Sequence, residues 1–293
     1  MTTARPLIRD RRTGTVHEEA VLDEGKMRWL YEHWAGRLVR QLFVGRLGSR
    51  LYAAQFDTRG SAHRIPGFIA RFGIDTAAFE PGPYPTFNAF FARRFRAGVR
   101  PFDAGTAVMS AGAEGCYQAW QTIGPDQRIP VKGQDLTLSA LLDDPALAES
   151  FAGGPAIVAR LRPHDYHRFH FVDGGEVQRQ LRIAGVLESV NPIALQAAPH
   201  VFVRNERHVT VQHSEQFGLL AYVEIGAMKV GKIIQHDDTR PRRGQEKGYF
   251  LYGGSTVVLL GQAGAWTPDA DLLQWTQKGI ESFVRLGEPI AGR

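Results

Sequence analysis

The sequence predicts an α+β fold, with a helical N-terminal region followed by a β-rich, mainly antiparallel core. Three observations lead there. Helical spacing of apolar residues is concentrated in the first hundred positions. From about Val108 onward, short apolar and alternating runs recur between polar or glycine-rich turns. Those strands come in runs instead of alternating with helices, which argues against a repeated βαβ unit.

In chain order, residues 1–20 are polar and read as an irregular arm. Between Leu22 and about Tyr52, Met27, Leu30, Trp34, Leu38 and Leu42 recur at helical spacing, flanked by Lys26, Arg28, Arg37, Arg40, Arg46 and Arg50. An apolar stripe with a basic flank can dock on a protein core, the commoner outcome, or lie in an anionic membrane interface. Ile65 to Phe72 reads as a short helix before Gly73, and Pro81-Gly82-Pro83-Tyr84-Pro85 as a rigid connector. Thr86 is placed to cap a helix through Phe87-Asn88-Ala89-Phe90-Phe91, with phenylalanines inward and arginines outward.

Beyond Val108, a small-residue turn from Ser110 to Gly115 holds one carboxylate, Glu114. Ile129 to Gly133 is extended, and Leu136 to Leu142 reads as a helix ending at Asp143 and Asp144. Ala156 to Leu161 is a buried strand that delivers the chain to Pro163-His164-Asp165-Tyr166-His167-Arg168-Phe169-His170. Strands are expected in Val177 to Val190, Val209 to Gln212, Leu219 to Gly226 and Val230 to Ile234. After a basic loop, Glu246 to Tyr252 reaches Gly253-Gly254-Ser255-Thr256, which runs into Val257-Val258-Leu259-Leu260. Glycine reaches dihedrals closed to other residues, so Ser255 is presented at a tight corner. Taken alone, that corner is an ordinary hairpin turn. Thr267-Pro268 starts a final helical stretch. The expected organisation is one integrated domain, mostly helical over 1–100 and β-rich over 101–293, with 26–52 as the membrane-contact candidate.

Composition narrows the function. Hydrophobic content of 43% and charge of 22% fit an ordinary globular protein. A net charge of +5 suits anionic partners such as phospholipid head groups, but is too small to argue for nucleic acid. Cys116 is the one cysteine, which excludes an internal disulfide and a multi-cysteine zinc site. The first residues carry no apolar run and no stretch approaches ~18 continuous apolar residues, so neither a signal peptide nor a transmembrane helix is expected.

Chemistry can reside in two places. His164, His167 and His170 are spaced by three, which on a helix would suggest a metal. Pro163 and the β-rich surroundings oppose a helix, and no Glu stands at HExxH spacing, so no metal is expected. Acid–base chemistry near neutrality is the second reading, and a structural role, preferred for His164, the third. No nucleophile elbow, Walker A or dinucleotide fingerprint is present. A Ser/His/carboxylate set is available in Ser255, a histidine of the 167–170 stretch and Glu114. Such sets assemble in space, so composition does not say which members meet.

Asp165-Tyr166-His167-Arg168-Phe169-His170 followed by Gly253-Gly254-Ser255-Thr256 resembles the signature stretches of the phosphatidylserine decarboxylase family. Phe87-Asn88-Ala89-Phe90-Phe91-Ala92-Arg93, Val131-Lys132-Gly133, Ser189-Val190-Asn191-Pro192, Arg204-Asn205-Glu206-Arg207 and Val223-Glu224-Ile225-Gly226-Ala227 agree with it, so the likeness covers roughly residue 60 to the end. The resemblance implies a self-processing proenzyme. Ser255 Oγ would attack the Gly254 carbonyl, cutting the Gly254–Ser255 bond into chains 1–254 and 255–293 and leaving a covalent pyruvoyl cofactor made from Ser255. It further implies His170 as the processing base, Glu114 as the carboxylate that orients it, and His167 as the proton donor in decarboxylation. Where the family has aspartate in a Ser-Pro-x-Asp-Gly turn, this chain has Ala111-Gly112-Ala113-Glu114-Gly115, with a carboxylate one methylene longer.

The reaction implied is conversion of phosphatidylserine to phosphatidylethanolamine and CO₂ through a Schiff base. A family relative acting on a soluble amino acid, such as an aromatic one, and a processing-dead scaffold homologue are the alternatives. Expected partners are the substrate, an anionic membrane surface, the two self-cleaved chains in association, and a second copy in a homodimer. The expected location is cytoplasmic, with peripheral contact at the inner face of the cell membrane.

Overall fold

The computed structural model describes residues 6–19, 24–36, 38–39, 52–124, 129–131, 134–186, 201–226, 233–253 and 255–293. Its strands are β1 (Leu7–Asp10), β2 (Val16–Glu18), β3 (Val108–Ser110), β4 (Gly115–Ile123), β5 (Ile129–Val131), β6 (Gln134–Leu136), β7 (Gly154–Leu161), β8 (Arg168–His170), β9 (Gly175–Ile183), β10 (Arg207–Ser214), β11 (Gly218–Gly226), β12 (Ile233–Gln235), β13 (Glu246–Phe250), β14 (Ser255–Gly261), β15 (Thr267–Pro268), β16 (Glu281–Val284) and β17 (Pro289–Gly292). One large sheet runs in the order β2-β1-β16-β4-β7-β14-β11-β10-β9, antiparallel throughout except where β1 meets β16. Smaller sheets join β12-β13-β8 and β15-β17-β3, and β5 pairs with β6. The expected α+β class is the one observed, with helices mainly toward the N-terminus.

The centre of the large sheet is the best-buried part of the molecule. Every residue of β7 is buried, because the strand is covered on both faces. This is why its sequence reads as a continuous apolar run and not as an alternation. The exception is Arg160, which donates to Glu19 at 2.9 and 2.8 Å and to Glu281 at 3.0 and 2.6 Å. Bidentate guanidinium–carboxylate pairs on both sides satisfy a charge that burial would otherwise make costly.

Four expectations change. Residues 7–18 are not an irregular arm but two strands on the edge of the large sheet, β1 lying parallel to β16 with Ile8 fully buried. Their polar residues mislead because they are partners: Arg9 and Arg11 donate to Asp271 at 2.9 and 2.7 Å, and Arg11 also to Asp269 at 2.6 Å. The apolar stripe of the first helical segment also divides. In the helix Glu24–Glu32, Tyr31 is buried and Leu30 packs on the main core. Trp34 and Leu38, expected on the same face, are 71% and 58% exposed. Arg37, Arg40, Leu42, Arg46 and Arg50 lie outside the described residues, as do Lys132, Gly133, 187–200 and 227–232 of the other motifs and expected strands.

The third change concerns the helix Phe87–Phe91. Thr86 caps it as expected, its Oγ1 accepting from Ala89 N at 3.1 Å, and Phe87, Phe90 and Phe91 are buried. The arginines that follow do not both face out. Arg94 is exposed, but Arg93 is only 2% exposed, held between the rings of Phe79 and Phe90 at 4.5 and 5.0 Å. The fourth is the glycine corner. β13 and β14 do not pair as a hairpin; β13 belongs to the small β12-β13-β8 sheet and β14 to the middle of the large one. Gly253 therefore lies on a crossover between two sheets.

Candidate active site

Ser255 is the first residue of β14 and is fully buried. It stands opposite Leu161 of β7 on one side and Gly226 of β11 on the other. The approach to it is fixed by the Phe87–Phe91 helix. Tyr252 N donates to Asn88 Oδ1 at 2.8 Å, while Asn88 Nδ2 donates to Asp57 Oδ1 at 2.8 Å. The Tyr252 ring packs against Phe56, Phe87 and Phe91 at 4.3, 5.0 and 5.2 Å. Gly253 then adopts a φ of +151°, a conformation that side chains disfavour. Gly254 lies outside the described residues.

The Ser255 hydroxyl meets His167. Its Oγ is 3.0 Å from Nδ1 of the ring, and Nε2 lies 3.0 Å from the Arg162 carbonyl. A carbonyl only accepts, so Nε2 carries the proton and donates it, leaving the Nδ1 lone pair facing Oγ. Phe91 stacks on the imidazole at 3.8 Å. Complete burial pushes the His167 pKa down to about 3, so the ring is neutral at physiological pH. The loop that carries it is braced by Asp165, which accepts from the Arg162 backbone N–H at 2.7 Å and from its guanidinium at 2.9 Å. Burial alone would raise the Asp165 carboxyl, but the Arg162 charge and hydrogen bonds outweigh it and hold the group ionised.

The other sequence candidates are close but differently engaged. His170 Nδ1 donates to the Gly244 carbonyl at 3.0 Å and its Nε2 faces the Tyr166 hydroxyl at 3.3 Å. Its available lone pair thus points at Tyr166 and not at Ser255. Glu114 accepts from Arg100 Nε at 2.7 Å and from Leu286 N at 3.2 Å, without a hydrogen bond to the His170 ring. The small-residue turn does touch His170 through its backbone, since His170 N donates to Gly112 O at 2.7 Å. A Cβ at residue 112 would sit 2.5 Å from the His170 carbonyl oxygen, so the close approach requires glycine. His164 stacks on Phe72 at 4.7 Å, but its buried Nδ1 has no hydrogen-bond partner, so it is not the satisfied structural histidine expected. Among the described residues, no group of three or more His, Cys, Asp or Glu is placed to hold a metal ion.

Of the Ser/His/carboxylate set, the structure joins Ser255 to His167. It brings neither His170 to Ser255 nor Glu114 to the His170 ring. Three participants escaped the sequence reading: Phe91, Asn88 and the Arg162 carbonyl. Asn88 had a visible signal, a lone amide in an otherwise aromatic helix. The other two act through stacking and a main-chain oxygen, which no residue pattern encodes.

A sequence profile described as phosphatidylserine decarboxylase matches residues 87–292. The chain belongs to the phosphatidylserine decarboxylase family. Curated relatives named phosphatidylserine decarboxylase proenzyme align end to end with it. One from Clostridium perfringens is 35% identical over 98% of this chain and 99% of its own length. One from Ruminiclostridium cellulolyticum is 36% identical over 97% of this chain and 96% of its own. Another, from Desulfitobacterium hafniense, is 36% identical over 97% of each. The alignment reaches through the N-terminal region, beyond the stretch in which the motifs resemble the family.

The pyruvoyl group that family membership implies would be made from the chain itself, at Ser255. Its hydroxyl is buried and hydrogen-bonded to an unprotonated imidazole nitrogen, and the chain approaches it through Gly253, two residues earlier, at positive φ. These are the conditions for a serine to be activated toward its own preceding carbonyl, and the residues fit the group.

Proposed function

We propose that this chain is a pyruvoyl-dependent carboxy-lyase that converts phosphatidylserine to phosphatidylethanolamine and CO₂ after cutting itself at Gly254–Ser255. The observation that carries the reading is the buried 3.0 Å contact between Ser255 Oγ and the unprotonated Nδ1 of His167. In the uncut chain, His167 Nδ1 takes the hydroxyl proton as Oγ attacks the Gly254 carbonyl carbon, and the peptide becomes an ester. Elimination across Cα–Cβ of residue 255 releases Gly254 as a carboxylate. Hydrolysis of the unsaturated residue then releases ammonia and leaves the pyruvoyl group at the new N-terminus. The division of labour expected from the resemblance, with His170 as base and Glu114 orienting it, requires Ser255 to leave His167; the resting hydrogen bonds favour His167.

When formed, the group supplies an electrophilic carbonyl for the substrate amine and an electron sink for the departing carboxylate. This chain's residues do the rest. Phe91 and the surrounding burial exclude water from the imidazole. His167, the ring in contact with residue 255, returns the proton to the substrate α-carbon. The 255–293 segment contributes β14 to the middle of the large sheet, between β7 and β11, and β16 between β1 and β4. The two products of cleavage therefore remain associated, since separating them would tear the sheet.

Contact with a lipid surface is supported by Trp34 and Leu38, which expose apolar side chains beside Trp29, itself 45% exposed. No helix among the described residues is long and apolar enough to cross a membrane. A peripheral position at the inner face of the cell membrane and a homodimer complete the reading.

Intact mass and a substrate panel test it. The expected result is a fragment beginning at residue 255 with a pyruvoyl N-terminus, and CO₂ released from phosphatidylserine vesicles but not from free aromatic or aliphatic amino acids. A single uncut chain over days would remove the enzyme reading. CO₂ from an amino acid alone would move the substrate to the soluble class.

A further inference from the structure

Behind the 162–167 loop lies a cavity of about 480 Å³, a volume typical of small-molecule sites. It does not include Ser255. Four arginines line it: Arg93, Arg100, Arg162 and Arg285. Two are matched, Arg100 by Glu114 at 2.7 Å and Arg162 by Asp165 at 2.9 Å. The Arg285 guanidinium makes no ion pair among the described residues. Arg93 is the more telling. Its Nη2 donates to the carbonyls of His164 and Asp165 at 2.8 and 3.1 Å, but its Nε and Nη1 are buried with no hydrogen-bond partner. Burial outweighs the nearby Asp165 and Glu114 charges and pushes its pKa down to about 10. Leaving charged donors buried and unpaired is costly, and native interiors seldom do so without a ligand or a functional reason. The buried Nδ1 of His164, on the same wall, is a further unpartnered polar atom.

We propose that this cavity binds a phosphate-type oxyanion through Arg93 and Arg285. Guanidinium donors suit phosphate oxygens, and here Arg285 offers an unpaired guanidinium beside the buried positive charge of Arg93. The oxyanion can come from a lipid head group or from free phosphate. The lipid source rests on the decarboxylase reading; the site itself does not. Because Arg93 also holds the His164 and Asp165 carbonyls, the bound anion would brace the loop that carries His167.

The test is calorimetric titration of the uncut Ser255→Ala chain, in which turnover cannot interfere, with sn-glycero-3-phosphoethanolamine, inorganic phosphate and, as a phosphate-free control, ethanolamine. Saturable binding of a phosphate-bearing probe is expected, weakened about tenfold or more by Arg285→Gln and by Arg93→Lys, with no binding of ethanolamine. Arg285→Gln keeps the test valid if Arg93→Lys disturbs the loop. Tighter binding of the diester identifies the lipid source, and tighter binding of inorganic phosphate the free anion. Failure of both phosphate probes, equal binding of ethanolamine, or unchanged affinity in Arg285→Gln overturns the proposal. CO₂ release from phosphatidylserine vesicles by the wild-type chain reports separately on the decarboxylase reading. Phosphate binding without CO₂ leaves the site and removes that reading, and CO₂ without phosphate binding does the reverse.

Discussion

Nδ1 of His167 lies 3.0 Å from Ser255 Oγ, and the opposite nitrogen of the same ring is committed to the Arg162 carbonyl. The second contact gives the first its meaning. A ring free to change tautomer could present a proton to the serine; one that donates from Nε2 presents a lone pair. His167→Gln is therefore expected to slow appearance of the 255–293 fragment by about 100-fold or more, the lower end of what a positioned base supplies. His170→Gln and Glu114→Gln are expected to slow it less. Time courses of the fragment by intact mass decide the ranking. Loss of cleavage in His170→Gln with retention in His167→Gln would return the base role to His170.

The pH dependence follows from the same burial. His167 binds a proton in the fold only near pH 3, against an unfolded value near 6.5. His170 and His164 are shifted in the same direction, also by burial. Between these values the unfolded chain binds more protons than the folded one, so stability rises with pH. Equilibrium unfolding should show stability falling as pH drops from about 6.5 toward 3. Self-cleavage, by contrast, should show no loss of rate centred at pH 6.5, because His167 is still an unprotonated base there. A cleavage limb at 6.5 would mean that the reacting histidine is solvated.

Asn88 connects the Phe87–Phe91 helix to the residue before the glycine corner. Asn88→Ala removes the acceptor for Tyr252 N and the donor to Asp57, and is expected to cost about 1–3 kcal/mol in stability. Cleavage should slow more than the stability loss explains, since Tyr252 sets the path into Gly253. Comparing cleavage rate with denaturant midpoint separates the two effects. Unchanged cleavage in a destabilised variant would reduce Asn88 to a structural residue.

Arg160 bridges the N-terminal region to the segment that follows the proposed cut, through Glu19 and Glu281. Arg160→Met leaves two buried carboxylates without their cation, and a loss of about 3–5 kcal/mol is expected in urea unfolding. Adding Glu19→Gln and Glu281→Gln should recover part of it. No recovery would show that the cost lay in packing and not in charge.

Trp34 and Leu38 are expected to act at a lipid surface and not in the fold. Trp34→Ser with Leu38→Ser should weaken sedimentation with phosphatidylserine-containing vesicles about tenfold or more, from lost apolar burial of about 1.5–3 kcal/mol per side chain. Cleavage and melting temperature should hardly change. A large drop in melting temperature would instead place these side chains in a protein contact.

The strands at the centre were readable because burial leaves a trace in residue type. β7 and β11 are apolar runs, and Thr86 announces its helix by a hydroxyl at the cap. The N-terminal strands β1 and β2 were not, because β1 is held by backbone pairing to β16 and by Arg9 donating to Asp271, all more than 250 positions away, and β2 pairs only with β1, which no local period records. The same limit applies to Arg93, whose burial depends on two aromatic rings closing over it.

The sequence by itself determined the residue types of the chemistry: a serine after two glycines, histidines at 167 and 170, and a carboxylate at 114, in motifs that mark the family. Only the tertiary structure decided which of them touch. Three positions apart, with His167 just before β8 and His170 at its end, the two histidines turn to different partners, His167 to Ser255 and His170 to Gly244 and Tyr166. Spacing records neither the direction of a side chain nor the main-chain carbonyl that selects its tautomer; both arise when separate sheets close around one buried hydroxyl.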